Sequence, residues 1–304
     1  MRKTEPVQAM RFGLVGTGYW ADEVHARGLE SHPDAELVGV WGRDPGKASR
    51  LAAAHGATPY DEVDALLDAV DAVAFAVPPA VQADIALRAA AAGKHLLLEK
   101  PVATDLAAAD RLLAAVEETG VSTVVFFTER FVPEREAWLQ ERATTGALGA
   151  RAEWLASLRT PDNPFADSRW RQLDGALWDV GPHALSVLLP VLGPVAGVVG
   201  ARGFDDLVSV VLTHESGATS TVQLSLTMPP EAMRSNLEFY DAQGWHARPD
   251  VSLDAVAAQQ QAVTELVGQI REARADHRCD VRFGRDVVEL LARCADAING
   301  YDAP

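Results

Sequence analysis

The chain has 304 residues, 48% of them hydrophobic, which is enough for one large core or two ordinary ones, and two domains are expected. Its 27 Lys and Arg stand against 43 Asp and Glu, and the net charge of −16 repels a phosphate backbone or an anionic membrane, which argues against nucleic acid as a partner. Thiols occur only at Cys279 and Cys294, without the spacing of a metal or redox pair, and the first ten residues lack the apolar core of a signal peptide; a cytoplasmic protein with two buried thiols and no metal site is expected.

From Arg11 onward short β-rich runs alternate with Ala-rich helical stretches, the pattern of a parallel sheet covered by helices. The pattern predicts a strand at 11–15, a helix at 19–31, a strand at 35–41 and a helix at 45–55 opened by Asp44 and Pro45 and ended by Gly56. A buried strand at 72–77, a helix at 80–92 closed by Gly93, a strand at 95–98, a helix at 105–119 closed by Gly120 and a strand at 121–127 follow. The grammar then changes, so the domains are expected at 1–128 and 129–304. The second half predicts a helix after Pro133, a strand at 151–158, an irregular segment, a helix at 177–189, and strands at 195–202, 207–214, 218–227 and 237–240. Short turns such as Glu215-Ser216-Gly217 make this an α+β domain on a mostly antiparallel open sheet, closed by helices at 255–275 and 284–299. Apolar stretches are interrupted by Gly, Pro or charge short of the roughly 20 residues a spanning helix needs, so no membrane segment is expected.

Gly16-Thr17-Gly18-Tyr19-Trp20-Ala21 lies directly after the first strand and opens the first helix, the context a dinucleotide fingerprint requires. Gly16 makes the tight turn, Gly18 lets a pyrophosphate approach the backbone, and the small Ala21 permits close packing of helix on sheet. Thr17, Tyr19 and Trp20 join them as cofactor candidates, with the free amides of the helix N-terminus receiving the anion. The second strand ends in Trp41-Gly42-Arg43-Asp44, with no carboxylate where NAD-specific chains hold the ribose. Gly42 leaves room there and the Arg43 guanidinium suits the additional phosphate of NADP, so NADP is preferred over NAD; stacking of Arg43 on adenine is the alternative. Asp44 reads as the cap of the following helix.

Glu99-Lys100-Pro101, following Ala92-Gly93-Lys94-His95 and the strand at 95–98, makes the chain resemble the Gfo/Idh/MocA oxidoreductases. The resemblance runs through Val77-Pro78-Pro79 in the first half and through Arg130-Phe131 and Trp178-Asp179-Val180-Gly181-Pro182-His183 in the second. Lys100 ends a predicted parallel strand, where crevices over open α/β sheets hold ligands. The resemblance implies that Lys100 contacts cofactor and substrate across a cis Lys100-Pro101 bond, and that Val77, Pro79, Gln82 and Glu99 line the cofactor. Gln82 stands where the family carries a histidine; it hydrogen-bonds but does not titrate.

Asp179 and His183, spaced i and i+4, would share one helix face, and that spacing alone suits a helix cap and a core histidine equally well. The resemblance makes them the catalytic pair beside Lys100, with Pro182 tolerable only in a first helical turn. It also suggests that Trp170 and Arg171, in the irregular stretch, and Arg130 line the nicotinamide or substrate. The family's glycine cluster is reduced to Gly175-Ala176, and its acidic residue three beyond the histidine is Ser186.

The implied activity is NAD(P)-dependent hydride transfer at a secondary alcohol or ketone of a sugar, polyol or related cyclic compound. In that reading His183 takes the hydroxyl proton, Lys100 polarises the oxygen and Asp179 orients the histidine, with Lys100 and His183 facing the nicotinamide ring. Alternatives on the same scaffold are a cofactor-sensing regulator without turnover and an NAD-dependent glycosidase. An antiparallel sheet with one bare face predicts a homodimer or homotetramer. Substrate choice is expected to lie in the segment 161–174.

Overall fold

Apolar strands buried on both faces build the first half of the protein. The computed structural model describes residues 8–160 and 163–300 and divides them into two units. In the first, β1 (Met10–Val15), β2 (Ala35–Trp41), β3 (Thr58–Tyr60), β4 (Ala72–Phe75), β5 (His95–Leu98) and β6 (Thr123–Val125) form one sheet in the order β3-β2-β1-β4-β5-β6. Every neighbouring pair is parallel. Phe12, Leu14, Val73, Phe75 and Leu96 are wholly buried, as strands covered by helices on both faces require. The reversal of strand order between β1 and β4 is the switch point at which such sheets bind ligands.

A helical run follows β1 as a π-helix, Ala21–Ala26, continued by α1 (Arg27–Glu30). Next come α2 (Pro45–Ala54), α3 (Val63–Ala69), α4 (Pro79–Ala91) and α5 (Leu106–Thr119). Asp44 caps α2 as its sequence suggests, its carboxylate accepting the Lys47 amide at 3.0 Å. Two elements of this unit went unanticipated, β3 with three residues and α3 with seven, too short for periodicity to declare them, as did the four-residue strand Gly244–Ala247 of the second unit.

The second unit opens with α6 (Pro133–Ala143) and β7 (Gly149–Leu155), then α7 (Arg169–Asp179) and α8 (Gly181–Leu192). The strands β8 (Val195–Arg202), β9 (Val208–His214), β10 (Thr219–Ser225), β11 (Arg234–Asp241) and β12 (Gly244–Ala247) complete a sheet in the order β12-β11-β7-β10-β9-β8. Only β7 and β10 pair in parallel, so the sheet is mostly antiparallel as expected. Helix α8 packs on β7 and β10, and along β9 Val208, Val210 and Leu212 are buried while Val211 faces out. One face is therefore covered and the other carries Val199, Val211 and Trp245 in the open.

The chain then returns to the first unit. Helix α9 (Ala255–Arg271) packs along the π-helix, α1, β5 and β6, and the first unit holds residues Asp254–Arg285. The last helix, α10 (Val281–Asn299), belongs to the second unit from Asp286 onward. The expected second domain of 129–304 is thus interrupted. Helix α9 buries Ala258, Ala262, Val263 and Leu266. An amphipathic pattern announces that a face is buried but not which partner covers it.

Residues 169–192 also correct the expectation that no apolar stretch is long enough for a membrane. By length and hydropathy they qualify, yet 67% of that window is buried in the protein and the helix is broken at Gly175, with φ 69°. Both thiols are buried, and burial pushes the Cys294 thiol up to about 12.

Candidate active site

In the first unit the candidate residues gather at the carboxyl ends of β1, β2, β4 and β5. Gly16 leaves β1 with φ 140°, and a Cβ there would stand 2.4 Å from the Ala76 carbonyl oxygen, so only glycine fits. Around Gly18 the situation is reversed. A Cβ on Gly18 would meet nothing within 4 Å, leaving open ground where the helix starts, and its carbonyl already accepts the Asp22 amide at 3.1 Å. A bare backbone facing open space at a helix N-terminus is the cradle a pyrophosphate needs, so these residues fit a dinucleotide. Exposed Tyr19 and half-buried Thr17 and Trp20 flank it.

Gly42 is held small by its neighbour: a Cβ there would lie 2.5 Å from the Thr17 methyl. A side chain at that position would require the Thr17 side chain to move. Arg43 is exposed and has no partner among the described residues. Val77 follows β4, and Pro79 is buried as the first residue of α4.

Lys100, half-buried, follows β5 and precedes Pro101 through a cis bond, as the resemblance implied. The strand end that carries it is clamped by Gln82. The Gln82 amide donates to the Glu99 carbonyl at 2.7 Å, and its oxygen accepts the Glu99 amide at 2.8 Å. Gln82 is wholly buried with both ends of its side chain engaged, so its expected place in the cofactor contact is corrected to that of a clamp. Glu99 is likewise turned inward. Its Oε1 accepts Trp20 Nε1 at 2.6 Å and His25 Nε2 at 2.9 Å, and its Oε2 accepts the Lys100 amide at 3.2 Å. His25 escaped the sequence reading, because one histidine in a helical run carries no local signal.

In the second unit the expected continuous helix at 177–189 is two helices. α7 starts earlier, at Arg169, and stops at Asp179, and Val180, still in the right-handed helical region at φ −103° and ψ −15°, joins it to α8. α8 restarts at Gly181 with Pro182 in its first turn, where the missing N–H costs nothing. Asp179 thus ends one helix and His183 lies in the first turn of the next. Asp179 is buried and accepts Arg171 Nε at 2.9 Å. Half-buried His183 donates its amide to the Val180 carbonyl at 3.2 Å, and its own carbonyl accepts the Ser186 hydroxyl at 2.9 Å. Ser186 is thus spent inside the helix rather than offered to a ligand.

Arg169, Trp170 and Arg171 lie in the first turn of α7 and not in an irregular stretch. The Arg171 guanidinium sits 4.3 Å from the Phe165 ring centre and 4.8 Å from the Trp170 ring centre, and Nη1 donates to the Ser168 hydroxyl at 3.2 Å. Residues 161 and 162 of the expected specificity segment lie outside the described residues. Arg130 is corrected outright. Its guanidinium is buried, donates to Glu136 from Nε at 2.7 Å and Nη2 at 3.1 Å, and gives Nη1 to the Ser186 carbonyl at 3.0 Å, so it braces the fold beneath α8.

Known proteins resemble this chain in both halves. Residues 10–127 match an oxidoreductase family with an NAD-binding Rossmann fold, and residues 137–246 match the C-terminal domain of the same family. The chain is 30% identical over 229 residues to an inositol 2-dehydrogenase of Rhizobium meliloti (strain 1021), covering 71% of this chain and 68% of the relative. It is 32% identical over 247 residues to a dTDP-3,4-didehydro-2,6-dideoxy-alpha-D-glucose 3-reductase of Actinomadura kijaniata, covering 77% of this chain and 73% of the relative. Among solved structures, a UDP-N-acetylglucosamine 3-dehydrogenase from Acidithiobacillus ferrooxidans superimposes with a TM-score of 0.81 at 24% identity, over 96% of this chain and 99% of its own. With both halves matched in order and the glycine turn open for a dinucleotide, the chain belongs to the Gfo/Idh/MocA family of NAD(P)-dependent oxidoreductases.

Proposed function

We propose that this protein transfers hydride between NADP, in preference to NAD, and a secondary alcohol or ketone of a sugar, a polyol or a related cyclic compound. One observation carries the reading: the open glycine turn after β1 and Lys100 after β5 lie at the same edge of one parallel sheet, on either side of β4. The inositol and sugar-nucleotide relatives support the substrate class.

Gly16, Thr17, Gly18, Tyr19 and Trp20 form the turn that holds the pyrophosphate, and Val77 and Pro79 border it. Arg43, exposed beside Gly42 where no carboxylate stands, meets the 2′-phosphate. The nicotinamide supplies the redox step by accepting or giving hydride. Lys100 holds the substrate oxygen and stabilises charge growing on it. His183 takes the hydroxyl proton in oxidation and returns it in reduction, the proton exchange for which an imidazole is chemically suited. Asp179, locked to Arg171, steadies the end of α7 directly before that histidine, and Trp170 and Arg171 border the substrate. The bare sheet face with Val199, Val211 and Trp245 is the surface through which two or four copies assemble, and the buried thiols suit the cytoplasm.

The test is a screen with NADP(H) and NAD(H) against inositols, aldoses, glycosides and nucleotide sugars, followed by His183→Asn with an accepted substrate. Turnover is expected to fall at least 100-fold with nucleotide Kd within threefold of wild type. Wild-type turnover in H183N removes the histidine from the reaction. Nucleotide binding with no turnover across the panel would establish a regulator instead, and cofactor-dependent release of nitrophenol from a glycoside would establish a glycosidase.

A further inference from the structure

The π-helix after the glycine turn has a geometric consequence for Glu99. Trp20 and His25 are five residues apart. In an α-helix of 3.6 residues per turn, side chains so spaced project about 140° apart and cannot reach one atom of a neighbouring strand. The wider turn of a π-helix, bonded i→i+5, brings residues five apart much closer to one face. Here the π-helix runs Ala21–Ala26, with Trp20 at its N-terminal cap, and both side chains do reach one atom, Glu99 Oε1, at 2.6 and 2.9 Å.

The investment in this contact is high. His25 is wholly buried, its Nδ1 has no hydrogen-bond partner, and its side-chain bonding is given to Glu99 alone. The Phe126 ring stands edge-on to the imidazole, with centroids 5.8 Å apart, and fixes its plane. An apolar side chain would fill such a site without leaving a buried nitrogen unbonded. The other carboxylate oxygen accepts the backbone amide of Lys100.

We infer that Trp20 and His25 are positioning residues: through the Glu99 carboxylate they tie the helix of the dinucleotide turn to the strand end bearing Lys100 and so set where the Lys100 amine stands. The inference rests on the proposed role of Lys100. Neither Trp20 nor His25 touches the reacting atoms; they act through Glu99.

The test uses the full chain as wild type, H25L, H25Q, W20F and K100M, each checked for folding by its melting curve. Trace acetylation with acetic anhydride, in the absence of nucleotide, reads the reactivity of Lys100 by mass spectrometry, with exposed Lys47 as internal standard. Nucleotide Kd and kcat are measured alongside, with a substrate that the wild type accepts from the panel above. In H25L and W20F the relative acetylation rate of Lys100, read without nucleotide, is expected to change at least threefold; in H25L kcat is expected to fall at least tenfold with nucleotide Kd within threefold, since displacement of a reacting group by about 1 Å is enough for such a loss. H25Q, whose amide nitrogen can replace Nε2, is expected to return both values to within twofold of wild type.

The inference is overturned if Lys100 reactivity stays within 1.5-fold of wild type in the folded variants, if kcat of H25L falls only in step with its nucleotide affinity, or if H25Q behaves as H25L does. Should H25L not fold, W20F carries the decision. A K100M that turns over normally sinks the catalytic role of Lys100, while the acetylation data still report on the tie itself.

Discussion

Replacing Gly28 by alanine tests whether α9 is an integral part of the dinucleotide-binding unit. Gly28 lies in α1 at ordinary helical angles, so its small size answers to packing and not to backbone freedom. A Cβ at this position would stand 1.8 Å from Oε1 and 2.7 Å from Cδ of Gln259 on α9. Gln259 is wholly buried, and neither its Oε1 nor its Nε2 has a hydrogen-bond partner, so its amide must shift within packed surroundings to admit a methyl. Inserting a methyl into such a contact costs about 1–3 kcal/mol. Alanine returns about 0.5–1 kcal/mol through its better helix propensity. The expected net loss is roughly 0.5–2 kcal/mol, or about 1–6 °C in melting temperature for a chain of this size. Thermal and urea unfolding followed by circular dichroism would measure it. The double variant Gly28→Ala/Gln259→Ala removes the obstructing amide, so its loss should be smaller than the sum of the single losses by about 1 kcal/mol or more. A G28A protein as stable as wild type, or losses that add to within about 0.3 kcal/mol, would refute the interlock.

Three further outcomes are expected. Gly18→Val should melt within 1 °C of wild type without nucleotide but raise the NADP(H) Kd at least tenfold, since its side chain projects into the open cradle, whereas Gly16→Ala, driven against the Ala76 carbonyl, should lose stability as well. Arg43→Glu should raise the Kd for NADP at least tenfold and leave that for NAD within threefold, read by fluorescence titration; an equal effect on both would place Arg43 on the adenine. The third concerns pH. Burial holds His95 and His214 below the ordinary histidine value of 6.5, despite the carbonyl of Gly193 bonding His214. Their folded values lie under the unfolded one, so the unfolded chain binds more protons between the two, and this stability is complete above pH 6.5 and lost as pH falls through the folded values. His55 opposes the trend, since burial pulls it down but Asp22 and Glu30 together raise it, and its contribution is lost as pH rises through its folded value. The urea midpoint should fall between pH 7 and 5 and fall less in His214→Gln; an unchanged slope in that variant would exclude His214 as a cause.

The parts of the site that were legible in the sequence are those set by local chemistry. Gly16-Thr17-Gly18 could be read because only glycine tolerates φ 140° against the Ala76 carbonyl and because an open turn before a helix is a local requirement. Asp44 could be read as a cap because a cap is a contact three residues long. Lys100 could be placed at a strand end because uninterrupted apolar runs mark parallel strands covered on both faces. Arg130 was misread for the complementary reason: whether a guanidinium faces a ligand or a buried carboxylate depends on Glu136 and on the carbonyl of Ser186, and the latter is 56 residues away.

The sequence by itself determined the order of the longer strands and helices, the change from a parallel to a mostly antiparallel sheet, and the glycine turn, since alternation, caps and positive φ all act over a few residues. Only the tertiary structure decided that α9 returns to the first unit, that α7 and α8 part between Asp179 and His183, and that a π-helix lines up Trp20 with His25. These outcomes depend on surfaces distant in sequence: the face of α9 meeting Gly28, the strand end presenting Glu99, and the sheet on which α8 rests. A periodic pattern states that a side chain is buried, and packing chooses its neighbour.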